Sequence, residues 1–178
     1  MKQRILLDSA QVDLALNRLC HQLIEVHNDF SDSVILGIQK KGVPFAKRIH
    51  KKLSEILNKK DIRCGDLDIT FYRDDFRKKE LINSTTHIDF SIEDKNVILI
   101  DDVLYTGRTV RSALDAMLAF GRPRDVELLV LIDRRSSRNL PIQAKYSGKI
   151  IDSTASEKVQ VNWIETTGKD EVILMTEG

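Results

Sequence analysis

The segment Val97-Ile-Leu-Ile-Asp-Asp-Val-Leu-Tyr-Thr-Gly-Arg-Thr109 constrains this chain more than any other. Its four apolar residues, Val97 to Ile100, predict a central strand, and two carboxylates, Asp101 and Asp102, follow at the carboxyl end. Thr106-Gly-Arg-Thr109 then closes a tight loop against the start of a helix. The first turn of a helix presents unpaired N–H groups and the positive end of its dipole, so it holds a phosphate. Gly107 lets the backbone come close, and Thr106 and Thr109 add hydroxyl donors. Asp101 and Asp102 accept hydrogen bonds from paired hydroxyls such as those of a ribose. A phosphate cradle a few residues past a hydroxyl reader matches a ribose 5-phosphate in size. An Asp pair at a strand end also serves to cap a loop or bind magnesium, and a Thr-Gly turn before a helix is common. Their union in one strand–loop–helix is what favours the sugar phosphate.

The rest of the chain reads as scaffold. Asp8 or Ser9 caps a predicted helix running to about Asn28, with Val12, Leu16, Leu19 and Leu23 on one apolar face. Ser33 to Ile38 is a short buried strand, and a turn from Gln39 to Gly42 leads to a helix over about Val43 to Leu57. Leu67 to Phe71 alternates like a strand covered on one face. From Tyr72 to Asp94 the pattern dissolves into charged and polar residues, and so long a loop in a compact domain is often functional. Asn96 to Ile100 and Val126 to Ile132 are buried strands flanking a helix from about Arg108 to Phe120, stopped by Gly121 and Pro123. Short candidates remain around Val159 to Val161 and Val172 to Met175. Strands alternating with helices imply an α/β fold with a mostly parallel, doubly wound sheet, whose ligands bind beyond the carboxyl ends of the strands.

The 178 residues suit one domain, residues 1–178, with a proper core. A net charge of +1 neither drives nor forbids nucleic-acid binding, which would need basic residues gathered on one face. Cys20 and Cys64 form no CxxC and no zinc spacing. With no signal-peptide pattern and no run near the ~20 apolar residues that span a bilayer, the expectation is a cytoplasmic protein without membrane partners. His27, His50 and His87 show no constellation.

Segment 97–109 resembles the motif by which type I phosphoribosyltransferases bind 5-phosphoribosyl-1-pyrophosphate (PRPP): apolar strand, two acids, short apolar link, Thr-Gly-x-Thr. The resemblance implies the type I phosphoribosyltransferase fold, with a flexible lid loop and a small hood. It implies that Asp101 and Asp102 bind the ribose hydroxyls, while Val103, Leu104, Tyr105, Thr106, Gly107, Arg108 and Thr109 complete the PRPP cradle. Gly37-Ile-Gln-Lys-Lys-Gly42 resembles the family's pyrophosphate loop, bringing Lys40, Lys41 and Gly42 to the leaving group; a solvated basic turn is the alternative. The stretch after Tyr72 stands where the family keeps its lid. Arg73 at its start is the implied pyrophosphate contact, catalytic together with Asp101 and Asp102.

The similarity extends along nearly the whole chain. Asp68 to Asp75, Asp101 to Arg111, Gly121 to Pro123, Val130 to Arg134, Leu140-Pro141, Gly148-Lys149 and Ser156 to Val159 are similar to one subfamily. Its members are pyrimidine-operon attenuation regulators that also act as uracil phosphoribosyltransferases. The implied reaction joins uracil to PRPP, giving UMP and pyrophosphate, with Mg2+ carried in on PRPP rather than held in a dedicated metal site. Arg134 and Val159 are candidates for the base pocket, Arg134 being equally suited to a structural ion pair. The regulatory role implies UMP- or UTP-dependent binding to leader mRNA through Arg18, His21, Arg138 and Lys149; for Arg18 and His21 a solvated helix face is the alternative. Asn17 stands where a Thr is usual, and Lys40-Lys41 where Thr-Arg is usual. A homodimer or higher homo-oligomer is implied too. The competing readings are an attenuation regulator with vestigial activity and a purine or orotate phosphoribosyltransferase.

Overall fold

Branched aliphatic runs become the inner strands of the computed structural model, which describes residues 2–73 and 85–176. Strands β2 (Ser33–Ile38), β3 (Arg63–Leu67), β4 (Asn96–Leu104), β5 (Asp125–Arg134) and β6 (Tyr146–Ile151) form a parallel sheet in the order β3-β2-β4-β5-β6. Every residue of β2 is buried, as expected of a strand covered on both faces. Helices α1 (Ser9–His27) and α2 (Gly42–Leu57) cover one face and α3 (Arg108–Met117) the other, giving two core clusters divided by the sheet. Strands β1 (Lys2–Leu7), β8 (Glu171–Thr176) and β7 (Glu157–Asn162) pair antiparallel in a second, three-stranded sheet. With the short helix α4 (Ile164–Thr167), they form the hood.

Local chemistry explains the boundaries. Asp8 caps α1, accepting from Gln11 N–H at 2.8 Å while its own N–H donates to Gln11 Oε1 at 3.0 Å. Trp163 stacks on Phe45 with ring centroids 5.7 Å apart, and Arg48 lies over the same indole at 4.7 Å. Arg48 also binds Asp170 and Glu165, which locks the hood to α2. No helix among the described residues is long and apolar enough to cross a membrane.

Two expectations need correction. The strand expected over Leu67 to Phe71 lies earlier, at Arg63–Leu67, and Thr70–Tyr72 is a 3-10 turn. Asp68 Oδ1 accepts from both the N–H and the hydroxyl of Thr70, at 2.8 and 2.6 Å, and so curls the chain out of the sheet. The acids were expected past the end of their strand, but β4 continues through Leu104, so Asp101 and Asp102 lie within it. Parallel pairing with β5 persists to Leu104↔Asp133 and carries the strand that far. The lid expected after Tyr72 falls largely on residues 74–84, outside the described residues.

Candidate functional site

From β2 the chain steps outward to β3, then returns to β4 and proceeds the other way to β5 and β6. A crevice therefore opens where the carboxyl ends of β2 and β4 meet. The turn after β2 presses against β4: a Cβ on Gly42 would stand 2.3 Å from the Ile100 carbonyl oxygen and 3.0 Å from Asp101 Cα. Only glycine permits this approach, which sets Lys41 close enough to act electrostatically on both acids. Asp101 and Asp102 are buried, and Asp101 Oδ1 accepts the Asp102 N–H at 2.9 Å. Burial, then the charge of Asp102, holds the Asp101 carboxyl well above the usual range, with Lys41 pulling it back. Burial likewise raises Asp102, opposed by Lys41 and the Val103 N–H.

Beyond the acids, Gly107 takes a left-handed conformation at φ +89° and α3 begins at the next residue. Its neighbours are fixed from outside: Thr106 carbonyl accepts the N–H groups of Asn139 and Leu140, at 3.0 and 3.3 Å. A cavity of about 350 Å³ is lined by Arg73, Asp101, the run from Val103 to Val110, and Ser112. It gathers Arg73, Asp101 and most of the predicted cradle around one space, at the amino end of a ten-residue helix. Such a space suits a phosphorylated sugar: the Asp101 carboxylate at one end, with Asp102 next to it in the chain but not lining the cavity, and the start of α3 at the other.

A second, more polar groove of about 650 Å³ shares Tyr105 and Thr106 with the first and continues over Ser136 to Asn139 and Asp152 to Ala155. Arg134, only 4% exposed, lines neither space but lies behind Tyr105, Ser153 and Thr154, which line the groove. Its Nε donates to Ser153 Oγ at 2.7 Å, its Nη2 to the Thr154 carbonyl at 2.9 Å, and its guanidinium lies 3.9 Å over the Tyr105 ring. Among the described residues no carboxylate pairs with it, so the structural ion pair weighed for Arg134 is not present. Val159 is buried in the core between hood and sheet, and it too lines neither cavity.

Of the four residues predicted for RNA, three make bonds within the chain. Arg18 donates to the Gly148 and Ser147 carbonyls at 2.6 and 3.3 Å, and Lys149 to the Leu6 carbonyl at 3.0 Å. Arg138 bonds both the Asp133 carboxylate and the Tyr105 carbonyl, which ties it to the phosphate turn. His21 is exposed on α1.

The sequence reading missed Ser153, Thr154 and Asp133, polar groups at the ends of β5 and β6; Asp133 and Arg138 five apart were the only available signal. It also missed the network of His27, which bonds Ser33 Oγ at 2.8 Å and Glu127 Oε2 at 2.9 Å. This trio resembles a hydrolytic triad, yet His27 and Ser33 are buried and line none of the cavities described. Both cysteines are free, their thiols pushed up to about 12 chiefly by burial.

Comparison with known proteins places the chain among its relatives. The family model described as phosphoribosyl transferase domain matches residues 3–165. The chain is 43% identical over 171 residues to "Bifunctional protein PyrR" of Clostridioides difficile, covering 95% of this chain and 96% of that protein. It is 45% identical over 177 residues to the protein of the same name from Desulfosudis oleivorans, covering 98% and 97%. The hypoxanthine phosphoribosyltransferase of Trypanosoma cruzi superposes with a TM-score of 0.71 at 15% identity, covering 98% of this chain and 97% of that one, a likeness of fold alone.

Proposed function

The chain belongs to the phosphoribosyltransferase family, and from that premise we propose that it joins uracil to PRPP, releasing pyrophosphate and forming UMP. The observation that carries the choice of base is Arg134: a buried guanidinium with no carboxylate within ion-pair distance among the described residues, stacked on Tyr105, which lines both cavities. A buried cation whose nearest carboxylate, Glu157, acts only from a distance keeps donors that a ligand can complete. A pyrimidine dione supplies carbonyl oxygens at its rim and a flat face for the Tyr105 ring.

In this reading the ribose hydroxyls lie against Asp101 and Asp102, and the 5-phosphate rests on the turn from Thr106 to Thr109 with the N–H groups of α3 behind it. Lys40, Lys41, the Gly42 backbone and Arg73 face the departing pyrophosphate. The transition state resembles an oxocarbenium ion, so the chain contributes position and charge rather than a nucleophile. Water is excluded by the lid, which lies mostly outside the described residues. The donor set fits magnesium brought in by the substrate, since the buried carboxylates offer the oxygen ligands that it prefers. Bound there, the ion would neutralise charge on the leaving pyrophosphate.

The word "bifunctional" in the relatives' name supports a second role. We propose UMP- or UTP-dependent binding of a pyrimidine-gene leader transcript, with Arg18 and His21, both exposed on α1, among its contacts, in a cytoplasmic homo-oligomer. The deciding assay offers PRPP and magnesium with uracil, orotate, hypoxanthine, guanine and adenine in turn. Turnover with uracil alone is expected; turnover only with a purine, or with none, would overturn the base assignment. A filter assay would show UMP-dependent, salt-sensitive retention of leader RNA if the second role is correct, and no retention would remove it.

A further inference from the structure

Arg134 is held by a short turn, and that turn is held by one carboxylate. Glu157 Oε2 accepts the Thr154 N–H at 2.7 Å and the Thr154 hydroxyl at 3.2 Å, and the Glu157 N–H donates back to the Thr154 carbonyl at 3.2 Å. The same carbonyl, with the adjacent Ser153 hydroxyl, receives the guanidinium of Arg134. The turn joins β6 of the main sheet to β7 of the hood, so its shape sets how the groove is walled.

We propose that Glu157 is a positioning residue for the base subsite: by fixing the 153–157 turn it sets the Arg134 guanidinium over Tyr105 at the height a base requires. The inference rests on the reading of Arg134 as the base contact. Its physical logic lies in what the indirect arrangement leaves available. A carboxylate in direct contact with an arginine occupies two of its donors in a fork and leaves fewer for a ligand. Glu157 stands one hydrogen bond further away, so its charge opposes that of Arg134 while Nη1 takes part in neither of the anchoring bonds. The guanidinium's bonds to Ser153 and Thr154 both run to this turn, so a loosened turn would let it tilt on the Tyr105 face.

The test uses the full chain with uracil, PRPP and magnesium, and the variants Glu157→Ala, Glu157→Gln and Ser153→Ala. Loss of the acceptor in Glu157→Ala is expected to raise KM for uracil about tenfold, the effect of one charge-assisted hydrogen bond. KM for PRPP should stay within about twofold, because the sugar-phosphate cavity is walled by other residues. Glu157→Gln keeps an acceptor oxygen and should recover most of the loss. Ser153→Ala removes one anchor of Arg134 without touching Glu157, and should show the same split even if Glu157→Ala fails to fold. Unchanged KM for uracil in the folded variants, or an equal rise in both KM values, overturns the proposal alone. A wild-type protein that binds PRPP and turns over no base defeats the reading beneath it and the proposal together.

Discussion

Gly42 offers the sharpest test of how the site is built. Replacing it with Ala places a methyl group 2.3 Å from the Ile100 carbonyl oxygen and 3.0 Å from Asp101 Cα, and both obstacles are backbone rather than flexible side chain. Reaching ordinary van der Waals contact requires the turn and the end of β4 to part by about 1 Å. Alanine is the better helix former, and at the first residue of α2 that preference is worth at most about 1 kcal/mol. Overpacking against a rigid backbone costs about 1–3 kcal/mol, so the clash outweighs the propensity and the variant loses stability. The functional loss should be larger, because moving Lys41 away from Asp101 and Asp102 by about 1 Å misplaces reacting groups by an amount that costs about 10²-fold. Urea denaturation reads the first effect as a lower midpoint at unchanged slope, and initial rates with PRPP and uracil read the second. Gly168→Ala is the control: a Cβ there meets nothing within 4 Å, and the residue sits at φ +83° in the hood. It should cost about 1 kcal/mol of backbone strain and no activity. Unchanged midpoint and rate in Gly42→Ala would refute the close-approach argument outright.

Other expectations follow from the electrostatics. Burial raises the Asp101 carboxyl above 3.8, so the folded state binds the extra proton and stability falls as pH rises from there through the folded value. Asp101→Asn should therefore gain stability over wild type at pH 7 and lose that gain near pH 4, in paired denaturant titrations, while turnover drops. Asp102→Asn should keep the fold and lose most activity; unchanged turnover would remove Asp102 from the ribose site. Glu127 is lowered below 4.5 despite the opposing effect of burial, by bonds from Lys145, Tyr146 and His27, so its contribution is present above that value and lost as pH falls through the lower folded one. Glu127→Gln should cost about 2 kcal/mol at neutral pH and little in acid, measured as a midpoint shift. With both thiols near 12, Cys20 and Cys64 should resist alkylation at pH 8 until denaturant is added.

What sequence made legible follows the strength of local signals. β2, β4 and β5 are continuous aliphatic runs, and α1 has a cap and an apolar stripe, so each could be read alone. β6 could not: Tyr-Ser-Gly-Lys-Ile-Ile has no alternation and becomes a strand because β5 pairs with it, Leu129↔Tyr146 through Arg134↔Ile151. β1 is exposed over Lys2 to Ile5 and exists through its pairing with β8, as in Ile5↔Ile173, from the opposite end of the chain. The turn from Thr106 to Thr109 was visible because its residues are contiguous. The groove around Arg134 was not, because Tyr105, Arg134 and the 153–157 turn come from separate segments.

The bond from Arg18 to the Gly148 carbonyl has a consequence for the edge of the main sheet. β6 ends the five-stranded sheet, and an open terminal strand is a template on which another chain can continue the ladder. A guanidinium on the Ser147 and Gly148 carbonyls brings a side chain of α1, and its charge, to this terminal strand. Arg18 thereby ties the first helix of the chain to the last strand of the main sheet, two elements that share no ladder and are far apart in sequence.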